Sequence, residues 1–174
     1  SMLLDINNKF NISLCGMMGS GKSAIGKILA NKLDYNFIDV DKMIEIDARK
    51  TIKKIFEEDG EQYFRNLEEK ITINILEYKK TIVSLGGGAI INKKIRSSIK
   101  KNSYNIYLNV DVDILTKRLQ NSNTRPLIYK KNLKRELLNL ISIREKFYQE
   151  ADLIVKNEEN IIETTENIIK KIIN

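Results

Sequence analysis

The sequence predicts an α/β domain in which helices cover a parallel sheet. Two features carry that prediction. Short apolar segments alternate along the chain with longer amphipathic ones, the βαβ rhythm of a parallel sheet. A glycine-rich turn, Gly16-Met17-Met18-Gly19-Ser20-Gly21-Lys22-Ser23, also stands between a strand-like and a helix-like segment. The pattern places strands near 10–15, 36–39, 81–85, 104–109 and 152–156. Helices are expected near 22–33, 42–49, 51–58, 61–78, 92–101, 112–121, 132–149 and 159–173. The 174 residues hold no low-complexity stretch, repeat or linker, and Pro126 is the only proline, so the chain reads as one domain.

The first strand, Phe10-Asn11-Ile12-Ser13-Leu14-Cys15, is largely apolar and free of breakers. After the turn, Ile25, Ile28, Leu29 and Leu33 recur at helical spacing on one face. The turn itself fits G-x-x-x-x-G-K-[ST], and strand, turn and helix are the context that this motif requires. Glycines let a backbone wrap closely around an anion. The amides of the turn and the helix N-terminus then offer positive partial charge to phosphates. Lys22 supplies a mobile charge for the β- and γ-phosphates, and the Ser23 hydroxyl a ligand for Mg²⁺. Gly16, Gly19, Ser20, Gly21, Lys22, Ser23 and Ala24 are therefore candidate nucleotide contacts, and a nucleoside triphosphate is the expected ligand.

Asn36-Phe37-Ile38-Asp39-Val40-Asp41 reads as a strand ending in two acids. Ligands of open α/β sheets sit beyond the strand carboxyl ends, which puts Asp39 and Asp41 near the phosphate loop. Their spacing of two points both the same way if the segment stays extended. A plain helix cap at Asp41, ahead of Met43 and Ile44, is the structural alternative.

On the next helix Phe64, Leu67, Ile71 and Ile75 form a buried face, and Arg65 and Glu68 are i, i+3 neighbours. They make either a surface ion pair or a unit in which Glu68 orients Arg65 toward a substrate carboxylate. Thr81-Ile82-Val83-Ser84-Leu85 then runs into Gly86-Gly87-Gly88, a strand end that a ligand can approach closely. Ser84 stands where proteins with this phosphate loop carry an acid near the metal. That leaves Asp39 to serve the metal, directly or through water.

Asp111 is expected to cap a helix with Val112, Leu115 and Leu119 inward and Arg118 at its far end. Gln120-Asn121-Ser122-Asn123-Thr124 leads to Arg125-Pro126-Leu127, which reads as a mobile flap carrying a charge. Arg144 and Tyr148 share a helix face just before Ala151-Asp152 and the last strand. Ile161, Ile162, Ile168, Ile169, Ile172 and Ile173 give the final helix an apolar stripe that docks it on the core.

Composition narrows the chemistry. Histidine is absent, which excludes a histidine base and a histidine-ligated metal, so carboxylates, Lys, Arg and an oxygen-bound metal remain. The single cysteine, Cys15, excludes an internal disulfide and suits a reducing cytoplasm as a buried filler. Ser1 ahead of Met2 is set aside as a cloning remnant. No apolar run approaches ~18 residues, so neither secretion nor membrane spanning is expected. The net charge of +7 and pI near 9.3 come from scattered pairs such as Lys79-Lys80, Lys93-Lys94 and Lys170-Lys171. Without interleaved aromatics these pairs describe solvated faces and not a nucleic-acid platform. Only seven of the 30 basic residues are arginine, so positions that keep Arg are candidates for bidentate recognition of carboxylate or phosphate.

In this order, from Asn11 to Val155, the motifs resemble those of the shikimate kinases, small kinases of aromatic amino-acid biosynthesis. The resemblance implies a three-layer α/β/α P-loop kinase fold with a five-stranded parallel sheet in the order 2-3-1-4-5. It implies one domain over 1–174, with a lid at about 120–131 and a substrate-binding helical region at about 42–78. ATP and Mg²⁺ would be the cofactors, and the γ-phosphoryl group would pass to the 3-hydroxyl of shikimate.

By the same resemblance Ser23 and Asp39 serve the metal, Asp39 through water. Asp41, Lys22 and Arg125 are catalytic, and Asp41 also binds the sugar-acid hydroxyls. Arg65 and Arg144 hold the carboxylate, Gly87 contacts shikimate, Arg125 meets the ATP phosphates and Arg118 stacks on adenine. Lys156-Asn157-Glu158-Glu159 matches no family residue, so backbone contacts and weak base selectivity are expected there. The chain is expected to be a cytoplasmic monomer. Its rivals are a gluconate or nucleoside monophosphate kinase and, from another class, a nucleotide-binding switch without an acceptor.

Overall fold

A computed structural model of the chain describes residues 9–121, 132–158 and 160–173. Its elements run in the order β1 (Asn11–Cys15), α1 (Lys22–Leu33), β2 (Asn36–Asp39), α2 (Val40–Ala48), α3 (Ile52–Asp59), α4 (Glu61–Ile75) and β3 (Thr81–Ser84). A short 3₁₀ turn (Ala89–Ile91), α5 (Lys93–Asn102), β4 (Ser103–Asn109), α6 (Val112–Gln120), α7 (Leu133–Tyr148), β5 (Leu153–Lys156) and α8 (Ile161–Ile173) complete it. Arg125 and all but the first two residues of the expected lid at about 120–131 lie outside the described residues.

All five strands pair in parallel in the order β2-β3-β1-β4-β5, the order that the resemblance implied. The chain moves from β1 through β2 to β3 on one side, then crosses to β4 and β5 on the other. The crevice at that reversal opens beyond the carboxyl end of β1, where the phosphate loop begins. Every residue of β1 and β3 is buried, as a sheet covered on both faces requires.

The core divides accordingly. Ile12, Leu14, Ile82, Ile106 and Leu108 pack against Ile25 and Leu29 of α1 and Ile168 and Ile172 of α8. Cys15, Val83, Leu85 and Tyr107 face Ile44, Phe64, Ile95, Leu137 and Tyr148 on the opposite side. Strand residues alternate between the two layers, so every second side chain serves one of them.

Three expectations need correction. The second strand ends at Asp39 as expected, but α2 begins at Val40 and not near 42, because the Asp39 carboxylate accepts from the Asp41 backbone N–H at 3.0 Å. Asp39 is therefore the cap, and Asp41 sits in the first helical turn instead of extending the strand. Helix α4 stops at Ile75, three residues before the expected end at 78. There Asn11 Nδ2 takes up the freed carbonyls of Leu76 and Tyr78 at 2.7 and 2.9 Å. On α8, Ile168 and Ile172 are buried beside Thr164 and Thr165, while Ile161, Ile162 and Ile173 are exposed. Ile162 and Ile173 lie roughly 100° around the helix from the docked arc, so the six isoleucines are wider than one face. Among the described residues no helix is long and apolar enough to cross a membrane.

Candidate active site

Gly16 lies hard against β4: a Cβ there would come within 2.8 Å of both the Leu108 carbonyl and Ser20 Oγ. At the other end of the loop Gly21 is the N-cap of α1, in the left-handed region at φ 96°, and offers no capping side chain. The first turn of α1 also holds no acidic residue. Its amides are thus left for a ligand, and an anion is what such a helix start accepts. Lys22 Nζ donates to the Gly16 and Met17 carbonyls at 2.8 and 3.1 Å, folded back over the loop. Burial lowers its pKa to about 8, against the attraction of Asp41 and Asp39.

Ser23 Oγ donates to Asp39 Oδ2 at 3.0 Å. Asp39 is the register partner of Ser84, so the acid absent from β3 stands on the neighbouring strand. This hydroxyl and carboxylate form an all-oxygen donor pair of the kind a hard cation takes. Among the described residues no group of three acidic or thiol side chains forms a metal cage. The pair therefore fits Mg²⁺ only if phosphate oxygens and water complete its shell.

A cavity of about 290 Å³ opens beside the loop, lined by Gly19, Lys22, Ser23, Asp39, Asp41 and Gly87 among others. Behind its floor four charged side chains converge on the three glycines that follow β3. A Cβ on Gly86 would meet Asp41 Oδ1 at 2.8 Å and Glu68 Oε2 at 3.1 Å. On Gly88 it would meet Arg65 Nη1 and Nη2 at 2.9 and 3.1 Å, and on Gly87 Arg144 Nη1 at 3.3 Å. The triple glycine is thus the surface on which two carboxylates and two guanidiniums meet.

Their mutual contacts sort them. Glu68 is only 2% exposed, and its Oε1 accepts from Arg65 Nη1 at 2.9 Å while Arg65 keeps an open side. The pair is therefore anchored on a buried carboxylate and is not an ion pair exposed on both sides. Burial raises the pKa of Glu68, with Arg65 pulling the other way. Burial also raises that of Asp41, helped by Asp39 and opposed by Lys22.

Arg144 is 6% exposed, its Nη1 rests on Met17 Sδ at 3.6 Å, and its Nε has no protein partner. A buried guanidinium with an unused donor suits an incoming acceptor. One helical turn on, the Tyr148 hydroxyl donates to the Gly87 carbonyl at 3.1 Å, and its ring stacks on Tyr107 at 4.6 Å. That bond, unforeseen in the sequence, braces the glycine loop from below.

The remaining candidates fall into place around this centre. Ala24 lines the cavity, whereas Gly16 and Ser20 do not; Ser20 is buried, with its Oγ against Gly16. Arg65 and Arg144 do not line the 290 Å³ cavity, but Gly87, which Arg144 approaches, does. Arg118 sits at the loop's outer edge, its Nη1 donating to the Gly19 carbonyl at 2.9 Å. Cys15 is buried, and burial pushes its thiol up to about 12, the inert filler that was expected.

Comparison with known proteins decides the family. The family model for shikimate kinase matches residues 18–174. The chain belongs to the shikimate kinase family. A shikimate kinase from Rhizobium meliloti is 42% identical over 84% of this chain and 77% of the relative. Shikimate kinase from Acinetobacter baumannii, solved in complex with shikimate, superimposes with a TM-score of 0.89 at 30% identity, covering 98% of this chain and 96% of that one. A gluconokinase from Sinorhizobium meliloti shares the fold alone: TM-score 0.61 and 16% identity over 94% of this chain and 93% of that one. Shikimate kinases use ATP, and the phosphate loop described above is the feature of this chain that fits a triphosphate.

Proposed function

We propose that this chain transfers the γ-phosphoryl group of ATP to the 3-hydroxyl of shikimate, with Mg²⁺. The observation that carries the reading is the convergence of Asp41, Glu68, Arg65 and Arg144 on Gly86–Gly88, beside a loop that fits a triphosphate. A gluconate kinase is the weaker reading, because its likeness stops at the fold.

The residues divide the work. The loop amides and Lys22 hold the phosphate chain, with Arg118 at the adenine side and Arg125, outside the described residues, adding charge. Ser23 and Asp39 would hold Mg²⁺, which supplies charge neutralisation across the β- and γ-oxygens. Arg65, fixed by Glu68, and Arg144 grip the carboxylate of the acceptor in planar, forked contacts. The Gly87 backbone meets the acceptor between them. Asp41 positions the attacking hydroxyl and accepts its proton. In the same reading the chain is a cytoplasmic monomer without a nucleic-acid partner.

A coupled kinase assay with shikimate, quinate and gluconate, with and without Mg-ATP, tests the proposal. Turnover with shikimate well above that with gluconate is the expected result. Equal turnover with all acceptors, or ATP loss independent of any acceptor, overturns it. Arg65→Lys gives a sharper test of the carboxylate grip. An ammonium cannot reproduce the fork, so KM for shikimate should rise by about tenfold or more, with KM for ATP within twofold. A matching rise in both constants would remove Arg65 from that role.

A further inference from the structure

Outside the phosphate loop lies one buried side chain to which the family pattern assigns nothing. Asn157 follows β5 and is 1% exposed. Its backbone N–H donates to the Asn109 carbonyl at 3.1 Å, which ties the segment after β5 to the end of β4. Its carboxamide Nδ2 donates to the Ser20 carbonyl at 2.8 Å, across 137 residues of sequence. Its own carbonyl accepts from Arg118 Nη2 at 2.7 Å, while Arg118 Nη1 reaches the Gly19 carbonyl at 2.9 Å. Two successive carbonyls of the loop, those of Gly19 and Ser20, are thus gripped by the side chains of Arg118 and Asn157, and Arg118 is tied to the Asn157 main-chain carbonyl.

A peptide unit is planar and trans, so its C=O and N–H point in opposite directions. Holding the Ser20 carbonyl toward Asn157 therefore turns the Gly21 N–H away from Asn157, and Gly21 lines the cavity beside the loop. The Ser20 N–H is used otherwise: it donates to the Met17 carbonyl at 3.0 Å and closes the turn. Gly21 supplies the second observation. It has no Cβ, and one built there would collide with Asn157 Nδ2. The carboxamide can reach the Ser20 carbonyl only because Gly21 leaves that space empty. Yet a glycine at φ 96° is also the residue least able to hold its own peptide plane. The contact supplies from outside the rigidity that the loop's own residues lack.

We propose that Asn157 is a positioning residue for the phosphate loop: it pins the Ser20–Gly21 peptide in the orientation that receives the nucleotide's phosphates. The proposal deepens the reading of Gly16–Ser23 as the triphosphate cradle and rests on it. It differs from a base contact in one consequence. A pinned peptide acts on any polyphosphate, whereas a base contact acts only on a nucleotide.

The test measures binding of ATP, of inorganic tripolyphosphate and of shikimate by calorimetry, together with Tm, in the wild type, Asn157→Ala and Asn157→Asp. Asn157→Asp keeps the shape and turns the donor into an acceptor facing the Ser20 carbonyl. It should weaken ATP and tripolyphosphate by the same factor, about tenfold or more. Asn157→Ala, which adds no charge, should weaken both by about threefold to tenfold, and it serves if the aspartate variant fails to fold. Shikimate affinity should stay within twofold in either variant. Weaker ATP with unchanged tripolyphosphate would assign Asn157 to the base and overturn the proposal. So would unchanged affinity for both, or a loss shared by shikimate, which would mark general damage. If the wild type itself binds neither ATP nor tripolyphosphate, the triphosphate cradle fails first, and the wild-type titration alone reveals it.

Discussion

Asp41→Asn is expected to lower kcat by about two orders of magnitude or more while ATP binds with nearly wild-type affinity. The substitution is isosteric, and the start of α2 does not depend on the side chain it changes. The helix is capped by the Asp39 carboxylate on the Asp41 backbone N–H, and that bond survives. What disappears is the carboxylate near Gly86, the group placed to hold and deprotonate a hydroxyl.

The pH profile separates the two roles. Burial raises the pKa of Asp41, so its carboxylate is lost, as pH falls, at a higher pH than an ordinary aspartate near 3.8. The wild-type rate should therefore fall on the acid side above that value, and the limb should vanish in Asp41→Asn. Lys22 behaves oppositely. Its pKa is lowered to about 8, so its charge is lost as pH rises through that value and nucleotide affinity declines beyond it. Asp41 helps keep Lys22 protonated, so in Asp41→Asn this alkaline decline should remain and move slightly downward in pH. An acid limb that persists in the variant, or near-normal turnover, would place the base elsewhere.

Much of this arrangement was legible in the sequence because it is local. The five strands and the phosphate loop are written in residues close along the chain: apolar runs, a glycine turn and helical spacing. The Arg65–Glu68 pair was visible as an i, i+3 spacing, and only burial could decide between its two readings. The alternation also shows where strands end, though not which of two aspartates caps a helix. Asp39 and Asp41 compete for one N-cap, and tertiary packing settles it in favour of Asp39. The last helix buries a narrower arc than its isoleucines span for a related reason: isoleucine at helical spacing marks possible burial, while the partner surface fixes the arc that is used.

The contacts that escaped are all long-range. Tyr148 bracing Gly87 and Asn157 pinning Ser20 span 61 and 137 residues. An asparagine in a polar loop advertises neither partner. The three glycines did advertise themselves, but only as permission for close approach. Which side chains approach depends on the start of α2, the first half of α4 and the last turns of α7 meeting at the glycines after β3, and that is a property of the fold.

Gly86→Ala tests that convergence directly. Gly86 is not among the residues with positive φ, so alanine suits its backbone and the whole effect is contact. The new methyl would stand 2.8 Å from Asp41 Oδ1 and 3.1 Å from Glu68 Oε2. Neither oxygen can retreat freely. Glu68 is buried and bound to Arg65, and Asp41 sits in the first turn of a capped helix. Displacing both should cut kcat/KM by about a hundredfold, through kcat by way of Asp41 and through KM for shikimate by way of Glu68 and Arg65. Overpacking of this kind should also lower stability by about 1–3 kcal/mol. Gly60→Ala is the matched control: nothing lies within 4 Å of the added methyl, but its φ of 88° is strained for alanine. That variant should lose about 1–3 kcal/mol of stability and keep its turnover. The two glycines thus predict different signatures, one felt in both the chemistry and Tm and the other only in Tm. If Gly86→Ala retained full kcat/KM, Asp41 and Glu68 would not meet above this loop, and the acceptor pocket would have to be sought elsewhere.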